Sequence, residues 1–231
     1  MLQSLDLDMV MCDSTNIVKN LKIKVTESIR AGYYSKAQII SELYPVLLAT
    51  ENFGKIPVVS ACSALIRRSI LTKNTILFQP ALRYSEDYLF MANIMIHTHS
   101  YFYLKGENFY NYRQYPESRS KKLQPDWWDS LLSLNKKLKE LLSDSKEFDF
   151  TRQLKLQLIH SALFLTGAVF NNGSMNYSEK WRKLRTLFYD PNLKEAFSNL
   201  NFNKQAVTLK IVLILVKNKM ALTYLIYRTI I

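Results

Sequence analysis

The stretch LRYSEDYLFMANIMIHTHSYFYLKGENFYNYRQYPESRSK, from Leu82 to Lys121, contains the strongest fold signals in this sequence. Within it, DYLFMANIMIHTH is apolar nearly all round, which predicts a buried helix with the adjacent acids Glu86 and Asp87 at its N-terminal end. The aromatic segment SYFYLKGENFYNYRQ follows and predicts two strands joined at KGEN. A buried helix running into aromatic strands predicts an α/β fold.

The residues upstream continue the same alternation of strands and helices. Asp8–Cys12 (DMVMC) is an apolar run typical of a buried strand, and Leu21–Val25 (LKIKV) alternates as a half-exposed strand does. Ser35 is followed three residues later by Gln38, a capping-box spacing that predicts the start of a helix. The α/β pattern therefore extends to about Gln114.

The sequence beyond this point predicts helices only. Leucines recur at helical spacing after Trp127, and FTRQLKLQLIHSALFLTGAVF predicts a second, more apolar helix. Residues 204–231 predict two basic amphipathic helices separated near Asn218. The predicted organisation is an α/β part, 1–117, and an all-α extension, 118–231, that ends in the basic tail 204–231.

Composition narrows the classes of function. The chain has 231 residues, of which 48% are hydrophobic and 22% charged, so long disordered stretches are not expected. Only five glycines occur, and both common glycine-rich phosphate loops are absent. The net charge of +12 favours partners that carry phosphate: nucleic acid, anionic lipid or a nucleotide-linked substrate.

Cysteine and histidine positions predict no metal site. Cys12 and Cys62 each lie in an apolar run, which favours buried reduced thiols and a cytosolic compartment. His97 and His99 would point to different faces of a helix, and His160 is expected to be a core histidine. The N-terminus has no signal-peptide pattern, and no apolar run approaches the roughly 20 residues of a spanning helix.

The two adjacent acids have two interpretations. A carboxylate at a helix N-terminus is stabilised as the anion by the helix dipole, and it can take a proton from a hydroxyl if the substrate is suitably placed. Acids in the first turn of a helix are also common as caps. Spacing alone favours capping for Glu86 and Asp87.

The order of the surrounding motifs resembles the second half of the family 2 glycosyltransferases with the GT-A fold. An apolar strand precedes Arg83-x-x-Glu86-Asp87, aromatic strands follow, and Tyr-x-Tyr-Arg at 110–113 leads to Ser118. The segments ELYPVLL and SALIRRSILTKNTILF upstream agree with this resemblance. It implies a fold class: an incomplete GT-A-like mixed sheet with helices, followed by the all-α extension.

The resemblance also implies roles for site residues. Asp87 would be the catalytic base and Glu86 would help hold the acceptor. Arg113, Tyr112 and Ser118 would contact the diphosphate of the donor, since a guanidinium suits paired phosphate oxygens. A rim arginine stacked on tyrosines remains an alternative for Arg113, and a plain linker remains one for the loop at 114–122.

A divalent metal, Mg²⁺ or Mn²⁺, is expected for the full-length enzyme of such a family. Its Asp-x-Asp motif belongs at the end of an apolar strand, whereas Asp6-Leu7-Asp8 precedes one here. The resemblance therefore implies that the chain begins after the donor site, that the metal ligands are not in it, and that it is inactive alone.

The implied function is inverting transfer of a sugar from a nucleotide-sugar donor to a saccharide or lipid-linked acceptor in bacterial cell-surface polysaccharide synthesis. The expected location is cytoplasmic, with contact of the 204–231 tail to the inner-membrane surface or packing of the tail against the domain as alternatives. The competing function is a noncatalytic basic module for nucleic acid or an anionic membrane. The absence of a nucleic-acid-binding motif argues against a nucleic-acid partner.

Overall fold

The computed structural model describes residues 6–80, 82, 85–115 and 126–230. In these ranges the chain forms a mixed sheet followed by packed helices, which confirms the predicted fold class. The strands are β1 (Met9–Val18), β2 (Leu21–Val25), β3 (Gly32–Ser35), β4 (Ala64–Ile66) and β5 (Ser100–Gln114). The α-helices are α1 (Lys36–Gln38), α2 (Arg68–Lys73), α3 (Glu86–His97), α4 (Trp127–Leu142), α5 (Thr151–Phe170), α6 (Tyr177–Phe188), α7 (Pro191–Ala196), α8 (Val207–Lys217) and α9 (Ala221–Ile230).

The sheet is organised around β1, whose apolar start MVMC is buried as predicted. Strand β5 pairs with β1 in parallel, and β2 and β4 pair antiparallel with its other edge. Strand β3 pairs antiparallel with the far edge of β5. The predicted strand Leu21–Val25 forms but is exposed rather than half-exposed, because β2 has only β1 beside it and no described layer covers it.

The prediction of two strands joined at KGEN is wrong. Residues 100–114 form the single strand β5, and the extra residues around Gly106 form a bulge within it. The pairing offset between β1 and β5 grows from 92 residues at Met9 to 96 at Ser14 across this bulge. Gly106 has φ +91°, which suits a bulge as well as a turn, so the local sequence does not distinguish the two.

The predicted capping box forms at the start of α1. The Ser35 side chain accepts a hydrogen bond from the Gln38 amide, and the Gln38 side chain accepts one from the Ser35 amide. The helical path continues through a π-helical turn (Ile39–Leu43) and a 3-10 turn (Tyr44–Val46). A further 3-10 turn, Ala61–Ser63, precedes β4.

Two hydrophobic clusters form the core, and α4 contributes to both. Leu134, Leu138 and Leu142 pack with the sheet, the α1 segment and α3. Trp127 and Leu131, at the other end of α4, pack with helices α5 to α9. This shared helix joins the α/β part to the helical extension, and the predicted boundary at 117/118 falls in residues that the structure does not describe.

The basic tail forms two helices, α8 and α9, separated at Asn218 as predicted. Their inner faces are buried in the helical cluster, with Val216, Tyr224 and Leu225 almost wholly inaccessible. Among the described helices, none has the length and apolar character needed to cross a bilayer.

Candidate functional site

Asp87 lies in the first turn of α3, where the chain enters the helix through Ser85. Ser85 has a left-handed backbone conformation (φ +60°), and its side chain does not cap the helix. The Asp87 side chain is half-buried, whereas Glu86 is exposed. Within the described residues, neither carboxylate makes a side-chain hydrogen bond or an ion pair. Asp87 therefore does not act as a capping residue, which is the role that spacing alone favoured.

The surroundings of Asp87 disfavour its charged form. Burial raises the pKa of its carboxyl above the ordinary value, and the neighbouring charge of Glu86 raises this pKa further. The expectation from the helix dipole alone was a stabilised anion, and burial together with Glu86 outweighs that effect. A carboxylate held in this way takes up a proton more readily than an ordinary aspartate, as a general base must.

Tyr110 interacts with Cys62 and is affected by the charge of Asp87, although no sequence pattern grouped these residues. A hydrogen bond with the Cys62 thiol, followed by burial, raises the pKa of the Tyr110 phenol, and the charges of Tyr112 and Asp87 add to this shift. Cys62 is exposed, which corrects its prediction as a buried thiol, while Cys12 is buried and both are free. The two-residue period of β5, which puts Tyr110 and Tyr112 on one face, was the available sequence signal.

The predicted donor-side residues separate in the structure. Tyr112 is 40% exposed and lies on the same face of β5 as Tyr110. Arg113 is also exposed, but strand alternation places it on the opposite face. Ser118 lies outside the described residues. The structure thus places Tyr110 and Tyr112 on one face of β5 and Arg113 on the other, and the charge of Asp87 contributes to the raised pKa of Tyr110.

A second aspartate, Asp13, is a buried structural group that sequence reasoning missed. Burial opposes its ionisation, but hydrogen bonds donated by the Tyr103 hydroxyl, the Gly106 amide (2.8 Å) and the Thr26 hydroxyl (2.9 Å) leave its pKa below the usual value. The same carboxylate therefore links β1 to the β5 bulge and to the residue after β2. Its signal in the sequence was an acid directly after the apolar run MVMC.

Asp6 and Asp8 do not fit a metal site. Asp6 forms an ion pair with Arg67 (2.7 Å), and an Asp8 oxygen accepts a hydrogen bond from the His99 amide (2.8 Å). These carboxylates tie the start of β1 to neighbouring segments. In the part of the chain that the structure describes, no group of three or more His, Cys, Asp or Glu residues could hold a metal ion.

Comparison with known proteins gives structural matches only. No family model matches the sequence, and no curated protein matches it. The fold is similar to Staphylococcus aureus TarS, a glycosyltransferase. Residues 1–349 of TarS match over 98% of this chain with a TM-score of 0.56 and 13% identity. The same TarS segment in complex with UDP-GlcNAc matches with a TM-score of 0.57 and 12% identity.

The chain corresponds to only part of TarS. The chain spans 58% of the TarS 1–349 structure, 60% of its UDP-GlcNAc complex and 35% of a longer TarS structure. Identity of 12–14% establishes similarity of fold and not of activity. On this basis, and with the mixed sheet and helices described above, the chain has a glycosyltransferase-like fold.

Proposed function

We propose that this chain carries the acceptor side of an inverting, family 2 glycosyltransferase with the GT-A fold. Its acceptor would be a saccharide or a lipid-linked saccharide of a bacterial cell-surface polysaccharide. The observation that carries this proposal is Asp87: a half-buried carboxylate with a raised pKa and no side-chain partner among the described residues. The glycosyltransferase-like fold supports it.

Asp87 acts as the general base in the proposed reaction. Its carboxylate takes the proton from an acceptor hydroxyl, and the acceptor oxygen bonds to the anomeric carbon of the donor sugar. The bond from that carbon to the nucleotide diphosphate breaks on the opposite side, and the diphosphate leaves with the electron pair. One in-line displacement inverts the anomeric centre. Glu86, exposed beside the base, holds the acceptor.

The donor side of the proposal is carried by Tyr112, Arg113 and Ser118, which would contact the diphosphate. Arg113 supports this because a guanidinium binds paired phosphate oxygens, and because it has no ion pair among the described residues. TarS was crystallised with UDP-GlcNAc and with UDP, so UDP-GlcNAc is the first donor to test. A Mg²⁺ or Mn²⁺ ion belongs to the proposal for the full-length enzyme, but none of its ligands is assigned here.

The test is sugar transfer by the full-length gene product carrying Asp87→Asn. This substitution keeps the size of the side chain and removes its basicity, so turnover should fall by about 10²–10⁴-fold. Burial of a charge at position 87 is unfavourable, so the variant should unfold at or above the wild-type temperature at pH 7. Turnover close to wild type in a folded Asp87→Asn protein would reject the assignment of the base.

A second candidate function is attachment to an anionic membrane surface. Helices α6 and α9 lie side by side, with the hydroxyls of Tyr177 and Thr229 2.7 Å apart. Exposed apolar and aromatic side chains from both form what we name the outer α6–α9 face: Tyr177, Trp181, Tyr189, Leu222, Ile226 and Ile230. The sequence predicted membrane contact through residues 204–231 alone, and the outer α6–α9 face includes residues of α6 as well.

Charge around this face is complementary to anionic lipid. Residues 177–231 contain ten basic and three acidic residues, a net +7 of the +12 carried by the whole chain. Lys219 lies 4.4 Å from the ring centre of Tyr189, and Arg185 lies within 6 Å of the rings of Trp181 and Tyr189. Aromatic rings bordered by cations are typical of segments at a bilayer interface. Peripheral attachment at the cytoplasmic face is thus part of the proposal.

A further inference from the structure

An open pocket of about 250 Å³ lies beside the N-terminal end of α3, where α3, α4 and α5 meet. Its walls are mainly aromatic and aliphatic, and its principal lining residues are Ile56, Tyr88, Trp127, Leu134, His160 and Phe164. The rings of Trp127 and Phe164 contact edge to face, with centres 5.3 Å apart. We name this cavity the α3–α5 pocket.

Two polar side chains of this pocket have no hydrogen-bonding partner. The Tyr88 hydroxyl is unpaired and has almost no solvent-accessible surface, so a ligand in the pocket reaches it only when the Tyr88 side chain shifts. The His160 imidazole forms no hydrogen bond with any described residue, and its ring contacts the edge of Phe53. Two other polar side chains of the pocket pair with each other, since Gln157 donates to the Ser161 hydroxyl (2.9 Å). An unpaired buried hydroxyl destabilises the ligand-free protein, so a ligand that pairs with it gains affinity.

Both groups are neutral near pH 7. Burial raises the pKa of Tyr88 well above the ordinary value, and burial lowers that of His160. No Asp, Glu, Lys or Arg is among the described residues that line the pocket. The described lining therefore supplies no counter-charge for a phosphate, a carboxylate or an amine.

The chemistry that remains is that of a neutral, hydroxyl-bearing ring. Aromatic walls pack against the apolar face of a sugar ring, while a phenol and an imidazole exchange hydrogen bonds with its hydroxyls. The volume of about 250 Å³ accommodates one monosaccharide unit rather than an oligosaccharide.

The position of the pocket relates it to the proposed base. Ser85 and Tyr88, which flank Glu86 and Asp87, both line it. Successive side chains on an α-helix diverge by about 100°, so Tyr88 and Asp87 face different directions from the same turn. The pocket and Asp87 therefore lie on different sides of the first turn of α3.

We propose that the α3–α5 pocket binds one neutral sugar unit of the acceptor, with the Tyr88 hydroxyl and the His160 imidazole as its hydrogen-bonding groups. The identification of this sugar as part of the acceptor rests on the proposed function above. Binding of a neutral sugar in the pocket rests on the pocket alone.

The test measures sugar binding by the intact chain in the absence of any donor. The probes are the methyl β-glycosides of glucose, galactose and N-acetylglucosamine, observed by saturation-transfer NMR. The wild-type chain is expected to saturate at least one of them. Tyr88→Phe removes the unpaired hydroxyl and should weaken that binding at least five-fold. It should leave thermal stability equal or higher, because an unsatisfied buried group disappears.

Tyr101→Phe is the matched control. Tyr101 also has a buried, unpaired hydroxyl but does not line the pocket, so this variant should bind the glycoside as the wild type does. Glucose 1-phosphate should bind more weakly than methyl glucoside because no cation is among the described residues that line the pocket.

Three results would overturn the proposal: no glycoside binding by the wild type, equal binding by Tyr88→Phe, or an equal loss in Tyr101→Phe. Asp87→Asn separates this proposal from the proposed function. The variant should retain glycoside binding even though it loses transfer. Binding without any transfer by the full-length wild-type protein would reject the proposed enzyme and leave the sugar pocket in place.

Discussion

Two aspartates of this chain show how surroundings determine the behaviour of the same side chain. Asp13 is buried among donors that stabilise its anion, and its pKa is lowered. Asp87 is half-buried beside another acid with no donor in the described chain, and its pKa is raised. The first arrangement is typical of a structural carboxylate and the second of a group that exchanges a proton.

The raised pKa of Asp87 predicts the acid limb of the pH–rate profile for transfer. A base works only when ionised, so kcat/KM should rise with pH through a pKa above the ordinary aspartate value of 3.8. Glu86→Gln removes the neighbouring negative charge, and the limb should then move to lower pH. The measurement is kcat/KM from pH 4 to 8 for both proteins. A limb unmoved by Glu86→Gln would contradict the assignment of the limb to Asp87.

Asp13 predicts a loss of stability in acid. Because its pKa is lower in the folded than in the unfolded state, the carboxylate stabilises the fold above its unfolded pKa of about 3.9. That contribution is lost as pH falls through the folded value. Asp13→Asn should lower the free energy of unfolding at pH 7 by about 2–4 kcal/mol, because three donors lose a charged acceptor. The difference between the two proteins should shrink below pH 4.

Urea unfolding at pH 7 and pH 3 measures this effect. Asp6→Asn is the control, since the Asp6 side chain is 93% exposed and its ion pair with Arg67 should contribute less than about 1 kcal/mol. Equal stability of Asp13→Asn and wild type at pH 7 would show that the network around Asp13 is not stabilising.

At the scale of elements, the β5 bulge determines which side chains reach the site. The Asp13 carboxylate accepts the Gly106 amide, and the strand then resumes its pairing with β1 four residues out of the earlier register. Tyr110 and Tyr112 belong to this second half of β5. A hairpin at KGEN would have paired the two halves with each other and removed these tyrosines from the edge near Asp87.

Gly106→Ala tests the bulge. Gly106 has φ +91° and no atom within 4 Å of a Cβ placed there, so the cost should be conformational, about 1–2 kcal/mol. Gly167→Ala is the matched control, because Gly167 lies inside α5 and also has open space at Cβ. That variant should gain about 0.5–1 kcal/mol. Thermal unfolding of the two variants measures the expected loss of stability in Gly106→Ala and the expected gain in Gly167→Ala. A stabilising Gly106→Ala would contradict the described bulge.

At the scale of the whole molecule, charge and apolar surface are concentrated on the helical extension. The tail helices bury one face in the core and expose the other, so packing and membrane contact are compatible rather than exclusive alternatives. This arrangement is typical of an amphipathic helix whose apolar surface exceeds what its own domain covers.

The outer α6–α9 face predicts binding to anionic vesicles. The intact chain should float with vesicles of 30% phosphatidylglycerol in phosphatidylcholine, and less with phosphatidylcholine alone or at high salt. Leu222→Ser with Ile226→Ser should reduce flotation at least ten-fold, because these side chains are 58% and 52% exposed and contribute by inserting into lipid.

The control for this pair is Leu21→Ser with Ile23→Ser on β2. These side chains are 67% and 51% exposed but lie on the sheet, so flotation should be unchanged. Equal flotation of both double variants would exclude the outer α6–α9 face as the membrane contact. Concentration-dependent dimerisation that only Leu222→Ser/Ile226→Ser abolishes, without vesicle binding, would assign the face to a second copy of the chain instead.

The sequence by itself determined the features that depend on neighbours within a few residues. The Ser35–Gln38 capping box, the buried helix from Glu86 and the two tail helices separated at Asn218 all follow from helical period and capping chemistry. Local hydrogen bonds and amphipathic spacing are properties of a short segment, so they are visible before the chain folds.

Only the tertiary structure decided the properties of the site. Gly106 forms a bulge instead of a turn because its amide meets the Asp13 carboxylate, 93 residues away. Cys62 and Tyr110 are 48 residues apart in the sequence and interact only in the folded chain, and the pKa of Asp87 depends on how much of α3 the rest of the chain covers. Burial and cross-strand pairing arise between distant segments, so no local pattern encodes them.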